Sequence, residues 1–246
     1  MPLKTSLTGS YPPIYSPFEP IHLRPDEEQD QLVWESTARA VKDQLELGVD
    51  VLVDGQVRGD IITLFARKMP GFDQRSLTPR VVGKIRPADD PITLADYQYA
   101  RSLAGDWPMK AHITGPLSMS RGIDVDTDVY TGNDDENLLK DLAAALADEA
   151  WALVEAGAEI IQIDEPALQD GFDLDLAFKL MNLIVQRAEI PFPALHACGN
   201  VTLILKDILE RAPVRMVSIE GNWLDSPQLR EIQHSFLERT DKQIGL

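Results

Sequence analysis

The 246-residue chain has a single cysteine, Cys198, so no disulfide can form within it. Its thiol is therefore free, metal-bound or buried. No stretch approaches the ~18 consecutive apolar residues of a membrane-spanning helix. Met1 to Thr5 lack the apolar segment that opens a secretory signal. These absences lead us to expect a cytoplasmic, reducing setting and no membrane partner. Basic residues are scarce, with 23 Lys and Arg against 40 Asp and Glu, a formal charge of −17. A phosphate backbone needs a basic surface, so no nucleic-acid partner is expected. Low-complexity tracts and repeats of fixed period are absent too.

What is there is an alternation of short apolar runs with amphipathic segments. That pattern predicts an α/β fold with parallel strands, and the length suits one (β/α)₈ barrel domain over residues 1–246. Barrel strands are expected at Leu3 to Thr8, Val49 to Val53, Met109 to Ile113, Glu159 to Ile163, Ala194 to Ala197 and Val214 to Ile219. Gln243 to Leu246 reads as the start of a seventh. Helices are expected at Glu28 to Leu47, Asn137 to Ala156, Leu174 to Ala188, Thr202 to Glu210 and Pro227 to Arg239. The helix from Asn137 is Ala- and Leu-rich and stops before Gly157, a good residue just past a helix end. Val81 to Ile85 reads as a loop hairpin inside a Pro- and Arg-rich excursion, residues 60–108.

Polar residues gather where the predicted strands stop. The series is Thr8-Gly9-Ser10-Tyr11-Pro12, Asp54-Gly55-Gln56, Thr114-Gly115-Pro116, Asp164-Glu165-Pro166, His196-Ala197-Cys198 and Glu220. In a (β/α)₈ barrel the C-terminal strand ends form the active-site face. Residues i and i+2 of a strand share a face, which puts His196 and Cys198 together. An imidazole, a thiolate and a carboxylate are all zinc ligand types, and a catalytic zinc keeps three protein ligands and one open position. A buried, inert cysteine is the alternative for Cys198 on its own. Asp164 could cap the following helix or bind an ammonium. Gly9 and Ser10 can offer backbone N–H groups to a carboxylate, although Gly9 could be a turn residue only.

The whole series resembles the catalytic barrel of cobalamin-independent methionine synthase. Asp164-Glu165-Pro166-Ala167-Leu168 and His196-Ala197-Cys198 carry most of the resemblance. It implies zinc-dependent transfer of a methyl group to the thiol of homocysteine. His196, Cys198 and Glu220 match zinc ligands, Asp164 matches the residue that binds the homocysteine amino group, and Gly9 and Ser10 match the stretch that holds its carboxylate. Gln56 stands where the large synthases have Glu, and Asp54-Gly55-Gln56-Val57-Arg58-Gly59-Asp60 looks more like the short, single-barrel branch. For the methyl donor, the resemblance implies methylcobalamin or a corrinoid protein, or a methyl-folate. The family has two more strand ends after Glu220, the last bearing a fourth zinc ligand, so the barrel is expected to be incomplete at its C-terminus. Related barrels stay open as alternatives: a corrinoid–thiol methyltransferase, a decarboxylase of the uroporphyrinogen type, or a catalytically impaired zinc-binding remnant. Arg58, Arg67, Arg80 and Arg86 are expected to be mostly solvated, and His22, His112 and His234 to be structural.

Overall fold

The structure is a computed structural model that describes residues 3–16, 21, 24–223 and 239–245. Five strands form an all-parallel sheet in the order β2 (Lys110–Thr114), β4 (Ile160–Asp164), β5 (Phe192–Ala197), β6 (Met216–Ile219) and β7 (Gln243–Gly245). Parallel bridges extend it by two more staves, Leu52 to Met109 and Ser6 to Val51. Seven staves thus lie side by side in chain order, with helices in the connections, as an α/β barrel of the TIM type requires. Among the described residues no pairing joins the first stave to the last.

All seven expected strand positions are occupied by staves. Their residues are apolar and β-branched, and β2 is buried along its full length, as strands covered on both faces are. The register lines up residues across the sheet. Thr114 stands opposite Asp164, Asp164 opposite His196, His196 opposite Ser218, and Ser218 opposite Gly245. One layer nearer the N-terminal end, His112 stands opposite Gln162, and Gln162 opposite Ala194.

The helices pack outside. α1 (Asp26–Glu46) opens with Asp26, Glu27 and Glu28 in its first turn, where acids complement the helix dipole. α5 (Glu136–Glu155) starts from Asp135, whose carboxylate accepts from Asn137 N–H, and is followed by Gly157 at φ 91°. It buries Leu138, Leu139, Leu142, Leu146 and Leu153 against α4 (Pro116–Arg121) and α6 (Leu174–Arg187). Each such leucine contributes about 1.5–3 kcal/mol.

Three helices went unpredicted: α2 (Ile61–Ala66), α3 (Leu94–Ala104) and α4. α2 and α4 are single-turn pieces, too short for a periodic signal. The expected helix from Thr202 is shorter, α7 (Leu205–Arg211), and that from Pro227 falls almost wholly outside the described residues, as do His22 and His234. The stretch expected as a loop hairpin at Val81 to Ile85 stays outside the barrel sheet and enters two pairings at Val81, one of them the antiparallel arm of a hairpin. β1 (Arg80–Val81) pairs in parallel with β3 (Asp124–Val125), and Val81 bridges antiparallel to Phe72. Val82 N–H donates to the Gly71 carbonyl and Asp73 N–H to the Arg80 carbonyl, both at 2.8 Å, the two bonds that frame this antiparallel bridge.

Glu165 ties α4 to the sheet. It is completely buried and accepts hydrogen bonds from Leu117 N–H at 3.1 Å, Ser118 N–H at 2.6 Å and the Ser118 hydroxyl at 2.5 Å. Burial raises its carboxyl to about 7 in spite of these donors. Its partners follow β2 directly, so Glu165 binds the end of a neighbouring strand. Gly115 makes the close approach possible, because a Cβ there would lie 2.1 Å from Glu165 Oε2. Gly115→Ala should therefore cost about 2–3 kcal/mol of stability, read as a lower urea midpoint with an unchanged m-value.

Candidate active site at the strand ends

The first connection after the second stave is tightly turned. Gly55 takes φ 96°, and a Cβ there would lie 2.8 Å from Ala40 Cβ on α1. Gln56 follows at φ 49°, in the left-handed region that a non-glycine residue seldom occupies. Its N–H donates to Asp54 Oδ1 at 3.0 Å, which holds this turn, and its side-chain amide donates to Asp164 Oδ2 at 3.0 Å. The two residues are 108 positions apart in sequence. Gln56 and Asp164 are thus in direct contact.

Asp164 is buried, 6% exposed. Its other oxygen accepts from Gln162 Nε2 at 2.6 Å, and Gln162 Oε1 accepts from Lys110 Nζ at 2.7 Å. Burial raises the Asp164 carboxyl; hydrogen bonds from Gln162 and Gln56 and the charges of His196 and Lys110 oppose it. Burial raises Asp54 as well, to about 6.

His196 and Cys198 stand at the end of β5 and Glu220 at the end of the adjacent β6, all on the Asp164 rim. His196 Nδ1 lies 3.2 Å from Ser218 Oγ. Ligating histidines characteristically have one ring nitrogen held in this way, with the other left for the metal. Burial, followed by the charges of Glu220 and Asp164, raises the Cys198 thiol. Those same charges favour a cation beside it. An imidazole backed by the Ser218 hydroxyl, a thiol and a carboxylate are donor types that suit a zinc ion.

The expected convergence within coordination reach requires correction, however. Among the described residues no group of three His, Cys, Asp or Glu side chains gathers closely enough to hold a metal. Glu220 is turned to other partners: Oε2 accepts from Gly199 N–H at 2.9 Å and Oε1 from the Asn222 amide. The carboxylate satisfies itself on backbone and amide donors, so the strand ends converge but the ligands do not close. Gly9, at φ 81°, and Ser10 are exposed. Among the described residues no hydrogen bond links Ser10 to Gln56 or Asp164; the nearest tie is Tyr11 N–H to the Gly55 carbonyl, 2.7 Å.

A narrow cleft opens beside Gln56, lined by Asp54, Thr37, His112 and Thr114 among others. Among the described residues the Thr37 and Thr114 hydroxyls and both His112 ring nitrogens have no hydrogen-bond partner. Burial holds His112 well below the usual imidazole range, so it is neutral. Sequence reasoning missed Lys110, Gln162 and Ser218. Strand alternation in Ile160-Ile161-Gln162-Ile163-Asp164 was the available signal, because it puts a polar Gln162 on the face of Asp164.

Residues 19–189 match the family model described as cobalamin-independent synthase, catalytic domain. The chain belongs to that family. A methionine synthase from Methanocaldococcus jannaschii is 43% identical over 175 residues, 69% of this chain and 54% of that protein. The chain thus spans about half the length of that relative. A 5-methyltetrahydropteroyltriglutamate–homocysteine methyltransferase from Bradyrhizobium diazoefficiens is 35% identical over 163 residues, 61% of this chain and 20% of that one. The solved structure of a B12-independent methionine synthase from Shewanella superposes with a TM-score of 0.74 at 24% identity, covering 88% of this chain and 72% of that one. That likeness confirms the barrel fold. The family's cobalamin-independent description runs against methylcobalamin or a corrinoid protein as donor, and that expectation is withdrawn. The match also leaves the decarboxylase-type alternative without support. It ends before His196, Cys198 and Glu220 and begins after Gly9 and Ser10. No helix of the described residues is long and apolar enough to cross a membrane.

The cationic excursion is also corrected at one position. Arg58 is not a solvated charge: it forms a two-pronged pair with Asp96, both bonds at 2.6 Å, and a third bond to Asp30 at 2.8 Å. This clamp follows Gln56 by two residues and fixes its loop. Removing one partner of a buried pair strands the other charge, so Arg58→Met should lower stability by about 3 kcal/mol, measured by chemical denaturation.

Proposed function

We propose that this barrel domain transfers a methyl group from a methylated folate to the sulfur of homocysteine, forming methionine. The observation that carries the reading is the Gln56–Asp164 contact on the same rim as His196, Cys198 and Glu220. A carboxylate beside a neutral amide is a receptor for an amino acid's ammonium. Asp164 supplies the countercharge, and Gln56 adds a carbonyl oxygen to its donated N–H without adding charge. Gly9 and Ser10 close the other side of the amino acid by offering N–H groups to its carboxylate.

His196, Cys198 and Glu220 would hold a zinc ion once Glu220 turns from Gly199 and Asn222. Zinc supplies acidity: a thiol that it binds loses its proton at neutral pH. Ser218 keeps the His196 ring oriented. Asp164 holds the ammonium, so the amino acid's thiol extends along the rim toward the strand ends of β5 and β6. The sulfur–carbon bond then forms as the donor's bond to the methyl carbon breaks. The relatives' names support the folate donor. A fourth ligand is not assigned.

The purified chain should be assayed for zinc content and for methyl transfer from a methyl-folate to homocysteine. Asp164→Ala should weaken homocysteine binding by roughly 10- to 100-fold, the worth of a hydrogen bond to a charged group, with zinc content unchanged. His196→Ala and Cys198→Ala should lose the zinc. Equal losses of zinc and homocysteine in Asp164→Ala would assign that residue a structural role. Zinc bound without any turnover would favour the impaired-remnant reading.

A further inference from the structure

Gln162 sits between two groups of fixed character. Its Oε1 accepts from Lys110 Nζ at 2.7 Å, and its Nε2 donates to Asp164 Oδ1 at 2.6 Å. Lys110 is 2% exposed and Gln162 is fully buried, so water does not compete for them. A lysine ammonium has donors only. It admits one orientation of the Gln162 amide, oxygen toward Lys110 and nitrogen toward Asp164. The reversed amide would set NH₂ against NH₃⁺ and turn its oxygen to Asp164. A carboxylate has no proton to give that oxygen, so Asp164 would have to become protonated to be partnered. Burial already pushes Asp164 in that direction.

We propose that Lys110 is a positioning residue for amino-acid recognition: acting through Gln162, it holds the Asp164 carboxylate as an acceptor for the substrate's ammonium. The identity of that substrate rests on the homocysteine reading above. Two amides occupy two of the roughly four acceptor sites of a carboxylate, which leaves capacity on the Asp164 oxygens. Lys110 makes no hydrogen bond to Asp164 among the described residues; its reach ends at Gln162. Burial draws Lys110 down to about 8, so it is charged at neutral pH and able to enforce the amide. The three residues lie on one face of two adjacent strands, β2 and β4, so the relay is set by the barrel's register and not by a loop.

The test combines calorimetry of homocysteine binding with NMR of the Gln162 side-chain NH₂ in glutamine-labelled protein. Lys110→Met should move the Gln162 resonances in the absence of ligand. It should also weaken homocysteine roughly tenfold, raise KM more than it lowers kcat, and leave zinc content unchanged. The double variant Lys110→Met/Gln162→Leu should bind no more weakly than Gln162→Leu alone, because both act through one amide. Lys110→Arg keeps a donor-only group and should retain the wild-type resonances and affinity, which serves if the Met variant does not fold. Unmoved resonances in Lys110→Met, additive losses in the double variant, or loss of both signals in folded Lys110→Arg would each overturn the relay. Wild-type protein that binds no homocysteine would sink the homocysteine reading and the substrate half of this inference. The Gln162 resonances would then decide the relay alone.

Discussion

Thr114, Asp164, His196, Ser218 and Gly245 stand in one row across five parallel strands. Parallel pairing in this register is the constraint on which the rest of the molecule depends. Residues paired across a parallel sheet face the same way, so the row brings an acid, an imidazole and a hydroxyl to one level of the barrel. The strands end at this row or one residue beyond it, and Cys198, Glu220 and Gln56 emerge on the same rim. A slip of one residue in β5 would turn His196 and Cys198 outward and put Ala197 in their place. Leu195 and Ala197, fully buried on the other face of β5, resist that slip, because it would exchange apolar and polar faces along the strand.

The interior of this barrel is costly in polar groups. Lys110, Gln162 and Asp164 are buried in a line, where an unpartnered charge or amide would destabilise the fold. They are tolerated because each satisfies the next, and because the chain of bonds ends at the rim on Gln56. Glu165, one position beyond Asp164, illustrates the opposite use of a carboxylate. It serves the packing of α4, with three donors and no access to the cleft. Two adjacent acids thus divide between the rim and the packing of α4 according to the side of the strand they leave from. His112, Thr37 and Thr114 differ from both: they line the cleft beside Gln56, and their buried polar atoms have no partner among the described residues.

The placement of His196, Cys198 and Glu220 shows the limit of argument by strand alternation. His196 and Cys198 are on one face and Glu220 ends the neighbouring strand, as the spacing implies. Glu220 is nevertheless held by Gly199 N–H and Asn222. Rim placement is a property of the backbone. Ligand closure is a property of side-chain rotamers and of what competes for them, and a carboxylate accepts readily from any N–H nearby.

Much of the fold was legible in the amino-acid order. Apolar runs marked the seven staves, Gly157 marked the end of α5, and the polar residues after each run marked the functional rim, because strand periodicity and burial are local consequences of residue type. The family likeness was legible in Asp164-Glu165-Pro166-Ala167-Leu168. Tertiary structure alone decided the pairings. Nothing local tells that Gln56 meets Asp164, that Lys110 reaches Gln162, that Arg58 grips Asp96 instead of water, or that Gly115 makes room for Glu165. Those contacts join residues dozens of positions apart, and their distances are set by strand register and helix packing, which the chain acquires only when the whole sheet has assembled.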